Sequence, residues 1–149
     1  MNITKTAMIN AVNELLAAEF PTATVYKNKE PTEFLRPAFL IMSPVCKIQG
    51  VARNIIRETL YLTITCFAPV DDYGNCDSDE LAEIQQRVVD LFCKGFVKVD
   101  DRAAKIAASD GGQDLDRAWV DLTCVYHSIR GETENLPMME QIETRYKEE

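Results

Sequence analysis

The sequence contains no apolar run approaching the roughly 18 residues that a membrane-spanning helix needs. Its opening residues, Met1-Asn2-Ile3-Thr4-Lys5, lack the charged and apolar regions of a secretory signal, so synthesis and folding in a cytoplasm are expected. Histidine is nearly missing, with His127 alone among 149 residues. The five cysteines (Cys46, Cys66, Cys76, Cys93 and Cys124) are odd in number and never form C-x-x-C, which leaves neither a disulfide framework nor a zinc pattern. No internal repeat and no low-complexity linker divides the chain. Phosphate-loop, hydrolase, kinase, glycosidase and dehydrogenase signatures are absent too, so neither catalysis nor a cofactor is expected.

What remains is an ordinary globular composition, 46% hydrophobic and 27% charged, long enough to bury one core. The net charge is −8, with 16 Lys and Arg against 24 Asp and Glu. It is unevenly spread. Residues 1–70 carry seven basic and five acidic side chains, whereas residues 71–149 carry nine and nineteen. So acidic a chain argues against a nucleic-acid groove, whose affinity comes mainly from Lys and Arg on phosphates. The asymmetry is compatible with a head-to-tail contact between unlike faces of neighbouring copies, and equally with ordinary solvated charge.

Apolar residues at helical spacing (Ala7, Met8, Ala11, Val12, Leu15, Leu16, Ala18) predict a first helix over residues 4–19, capped by Thr4 or Thr6 and followed by Pro21. Thr24-Val25-Tyr26 and the apolar run 38–42 read as strands, the second bracketed by Pro37 and Pro44 because proline does not fit a central ladder. Residues 45–50 and 55–67 read as a long hairpin bending over Gly50 to Asn54, with Leu60, Leu62, Ile64 and Cys66 on one face. Asp77 opens a second helix, its apolar stripe formed by Leu81, Ile84, Val88, Leu91 and Phe92, with Gly95 as its stop. Residues 96–99 and 103–108 are weaker strands, Asp110-Gly111-Gly112 reads as a turn, and 117–129 as a last long strand. Hairpin-length connections favour an α+β fold, an antiparallel or mixed sheet with two main helices packed on one face. Residues 1–131 form its single domain, and 132–149 a linker and short C-terminal helical arm.

Few residues invite chemistry. With Gly74 at position six of a calcium loop, Glu80 falls at the twelfth, but Pro69 and Tyr73 take positions that need side-chain oxygens, and a turn plus a helix cap explains the acids. His127 lies three residues from Cys124, hence on the opposite face of a strand, and reads as structural. Cys46, Cys66, Cys93 and Cys124 sit in apolar segments and are expected to be buried, while Cys76 lies in a polar loop. Lys47, Arg53 and Arg57 make the hairpin basic and are candidates for an interface with an acidic neighbour. In the arm, Met138, Met139, Ile142 and Tyr146 gather at helical spacing and form a second candidate interface.

The helix ending in Phe20-Pro21, the step Phe34-Leu35-Arg36-Pro37 opening an apolar strand, and the hairpin ending in Tyr61-Leu62-Thr63-Ile64-Thr65-Cys66-Phe67 before an acidic loop and helix resemble one known family. These are the tail-terminator (tail-completion) proteins of tailed phages and phage-like contractile particles. The resemblance spans roughly residues 1–130 as an order of elements. It implies a virion protein, without catalytic residues, that forms a homo-oligomeric ring, usually a hexamer, on the last ring of tail-tube protein. Contact with sheath and with neck or connector proteins follows, with DNA passing through and no membrane partner. Rival readings are another neck or head-completion protein, a small cytoplasmic enzyme built around Cys76 or His127, and an adaptor module.

Overall fold

The computed structural model describes residues 3–27 and 35–129, and all structural statements concern these. Thr4 opens the chain's first helix, α1 (Lys5–Glu19), its hydroxyl accepting from the Ala7 amide at 3.1 Å. One stripe of α1 (Met8, Ile9, Val12 and Leu16) is buried, so the helix packs by a single face. After it come β1 (Thr24–Lys27), β2 (Ala38–Ala52), β3 (Ile55–Phe67), α2 (Ser78–Leu91), β4 (Phe96–Val99), β5 (Arg102–Gln113) and β6 (Ala118–Ile129). The strands form one sheet in the order β1-β2-β3-β6-β5-β4. Only the β1–β2 pair is parallel; the other pairs are antiparallel, which makes the sheet mixed and the fold α+β.

Strict alternation decides which sheet face is covered. Leu60, Leu62, Ile64 and Cys66 of β3 lie opposite Cys124, Leu122, Val120 and Ala118 of β6, and all eight are buried. All but Ala118, which packs with Ala68 and Leu81, join Met8, Val12 and Leu16 of α1 and Val88 and Phe92 at the end of α2 in one core, so both helices back the same face. Each large side chain so buried contributes about 1.5–3 kcal/mol. The helices also meet directly, since Arg87 lies 4.2 Å over the Phe20 ring and donates to Glu19. The opposite sheet face carries half-buried Tyr61, Thr63, Thr65, Trp119, Asp121 and Thr123.

Three expectations need correction. Residues 38–42 and 45–50 are not separate strands but one, β2, running on to Ala52, with Arg53-Asn54 as the turn. Pro44 is tolerated because it sits at a bulge between the pairs Met42–Thr63 and Val45–Tyr61. Beyond Ile41, moreover, β1 no longer pairs with β2, so no described strand needs the missing amide. Asp110-Gly111-Gly112 is not a turn but part of β5, with Gly111 opposite Val120 and Gly112 opposite Trp119. The glycines are there for room: a Cβ on Gly112 would stand 2.2 Å from Trp119 Cζ2. Cys93 is exposed, its thiol donating to the Asp90 carbonyl at 3.1 Å, because Phe92 fills the core and the next side chain points away. Residues 132–149, read from sequence as linker and arm, lie outside the described residues.

Candidate assembly surfaces

Two ends of the sheet stand out, the hairpin end and the end where the loops around β2, β3 and β6 gather. At one end the β2–β3 hairpin closes on Arg53 and Asn54, the latter in the left-handed region (φ 66°) that asparagine tolerates. The strand-to-strand register fixes what this end displays. Lys47 opposes Thr59, and Gln49 opposes Arg57, whose guanidinium donates to the Gln49 side-chain amide oxygen, Oε1. In the next strand Arg57 opposes His127 and Thr59 opposes Val125, which in turn opposes Lys105. Lys47, Arg57, His127 and Lys105 therefore share the face turned away from the helices. Apolar side chains are exposed at this end too: Ile129 at 60%, Val45 and Val51 at somewhat less, and Ile48 at 67% on the other face of the hairpin, opposite Glu58. On the core side of the hairpin's base, Glu58 opposes Tyr126 and both are buried. Burial and the Glu58 carboxylate push the tyrosine hydroxyl's pKa up.

The other end is built from three loops that follow β3, join β5 to β6 and precede β2. Arg36 ties them together. Its Nη1 donates to the carbonyls of Ala68 and Asp116, both at 3.0 Å, and Nη2 reaches the Asp116 carboxylate at 3.5 Å. Arg117 holds that same carboxylate through Nε and Nη2 at 3.1 and 3.2 Å. The hydrogen bond from Arg117, and the charges of Arg117 and Arg36, hold Asp116 below the usual carboxylate pKa despite partial burial. Both guanidinium groups also lie over the Phe67 ring, at 5.3 and 4.9 Å. Half-buried Cys76 donates to the carbonyls of Ala68 and Asp116 at 3.3 Å, and its amide bonds the Leu115 carbonyl. Held by this knot, Leu35 (75% exposed), Tyr73 (89%) and Leu115 (71%) project into solvent.

The side chains that invited chemistry are engaged otherwise. Asp71 accepts from the amides of Tyr73 and Asn75, and Asp77 caps α2 by accepting from Asp79 N, so the acidic loop is a turn and a cap. Burial pushes the Cys66 and Cys124 thiols up to about 12, which makes them poor nucleophiles near neutrality. Cys76 and His127 sit at opposite ends of the sheet, about 30 Å apart along β6 at the usual strand rise. They cannot act on one substrate. A cleft of about 280 Å³ between the start of β2 and α2 is lined by Phe20, Phe39, Phe67, Glu83 and Arg87, the last engaged with Glu19.

Of the residues singled out from sequence, Lys47, Arg53 and Arg57 do lie together on the hairpin end. Met138, Met139, Ile142 and Tyr146 fall outside the described residues. Sequence reasoning missed Lys105 and His127, which join the basic face only through strand register, and the exposed trio Leu35, Tyr73 and Leu115. Isolated apolar residues in loops carry no signal until the loops are brought side by side.

A mixed sheet backed by two helices, with apolar side chains bare at both ends, makes this an α+β protein with exposed surfaces of the kind that meet other proteins. The chain belongs to the family described as phage tail terminator protein, whose family model matches residues 7–112. That match runs from α1 into β5 and takes in the hairpin, Arg36 and the acidic loop. No curated protein matches the chain. The protein is thus a structural component of a phage tail and of the virion, working in contact with other tail components.

Proposed function

We propose that this subunit closes into a ring, a hexamer, on the last ring of tail-tube subunits at the head-proximal end of the tail. There it ends elongation of the tube and offers the neck a surface on which to dock. The observation that supports this most is the pair of unlike adhesive ends on one sheet, since a closed ring is made of heterologous contacts between different patches of identical copies. Lys47, Arg53 and Arg57 serve the ring contact. The segment with Met138, Met139, Ile142 and Tyr146 docks as an arm on a neighbouring subunit or on the tube. Sheath and neck proteins are further partners, and an acidic inner wall lets DNA pass without sticking. Light scattering of the protein alone and mixed with tail-tube subunits tests the reading. Particles several times the 16.8 kDa monomer are expected in at least the mixture. A strict monomer in both would overturn it.

A further inference from the structure

The two ends of the sheet differ in charge as well as in shape. On the hairpin end, Lys47, Arg57, Lys105 and His127 share one face with Lys98, whose partner in β5 is Ala103, and Arg53 stands at the tip. From Val45 to Arg57 the hairpin holds no acidic residue. The loops of the three-loop end that carry Tyr73 and Leu115 also carry Asp71, Asp72, Asp77 and Asp114, with Asp79 in the first turn of α2. The cations described there, Arg36 and Arg117, are turned onto Asp116 and Phe67. The exposed Asp100-Asp101 turn between β4 and β5 also lies at the hairpin end, so that end is basic in net rather than throughout. The loop end is acidic in net, and each end sets its charge beside exposed apolar side chains.

The chain cannot bring these ends together by itself. They lie at opposite ends of β3, whose 13 residues span roughly 40 Å, and the hairpin is part of the same rigid sheet. A second copy supplies the missing complement. We propose that the basic, apolar hairpin end of one copy seats on the acidic, apolar three-loop end of the next. Apolar contact between Ile48 or Val51 and Tyr73 or Leu115 supplies the attraction, while the charges set the direction and oppose like-to-like pairing. The Arg36 knot matters because it fixes the receiving loops before contact, so little ordering remains to be done. This contact rests on the reading of the protein as a self-assembling subunit.

A charge exchange in the full-length protein tests it. Arg53→Glu with Arg57→Glu reverses two charges of the hairpin, and Asp72→Lys with Asp79→Lys reverses two of the five acidic charges named at the loop end. Each reversed protein is expected to need at least about tenfold more protein for half-assembly, on the tube or alone, an effect that shrinks in high salt. The four-fold variant again sets opposite signs at the exchanged positions and is expected to recover much of the assembly that either parent loses. Tyr73→Ser, at a side chain too exposed to affect folding, is expected to weaken assembly at any salt. If the natural protein assembles and the reversed proteins do so equally well, or the four-fold variant stays as impaired as either parent, this contact is wrong while the ring stands. If the natural protein stays monomeric even with tail-tube subunits, both fall.

Discussion

Gly112 and Trp119 form one unit of packing although they lie in different strands. The indole occupies the space that any side chain at 112 would need, and Gln85 from α2 donates to the carbonyls of both residues at 2.9 Å. Adding one methyl there forces the ring out of place. Gly112→Ala is therefore expected to cost about 1–3 kcal/mol, as overpacking does. Trp119 is the sole tryptophan, so its emission should shift along with the melting temperature. An unshifted emission with unchanged stability would show that the ring moves freely. The same pair explains why this stretch misleads when read as sequence. Asp-Gly-Gly carries turn chemistry, and the bulk that makes it a strand belongs to a residue on the neighbouring strand.

Among the elements, β3, β6 and the two helices were legible because each is half-buried and its period shows. Strand β2 was legible only in pieces, since a proline at a bulge looks like a proline at a strand end. The order of strands was not legible at all, because local alternation does not record which strands pair across sixty residues. The three loops at the acidic end were no more readable, being joined by Arg36 over separations of 32 and 80 residues. Their knot has a pH signature. Asp116 loses its proton more readily in the folded chain than its usual value of 3.8 allows, so its contribution is whole above that value and fades as the pH falls through the lowered one. The carboxylate is partly exposed, and its pairs contribute about 0–1 kcal/mol. Asp116→Asn is expected to melt below the natural protein at pH 6 and level with it near pH 2. Parallel curves across that range would mean that Asp116 does not secure the loops.

At the scale of the whole molecule, charge that looked merely uneven along the sequence becomes a polarity in space. Lys47, Arg53 and Arg57 announced one pole, but its remaining basic residues come from strands some fifty to seventy residues further along the chain. The C-terminal residues bear on the same scale. Three or four apolar side chains there contribute about 1.5–3 kcal/mol each when buried, enough for an arm though not for a domain. Deleting residues 134–149 is expected to leave the melting temperature unchanged and to abolish assembly. A clear fall in melting temperature would instead place the segment on its own sheet, and no effect on either would leave it without a structural role.

The bulge at Ser43 and Pro44 has a mechanical meaning as well. It lies at the base of the hairpin's β2 arm, which runs from Val45 to Ala52, about 27 Å at the usual strand rise, beside a β3 arm that stays paired with β6 as far as Ile55. Because one strand carries an extra residue there, the ribbon bends and twists more sharply, as bulges make it do. Deleting Pro44 would give a regular ladder with every later pair unchanged, Cys46 still opposite Leu60 and Lys47 opposite Thr59. Such a protein would keep the same strand pairs, with the side chains of its flatter β2 edge turned differently. The bulge sets an aim.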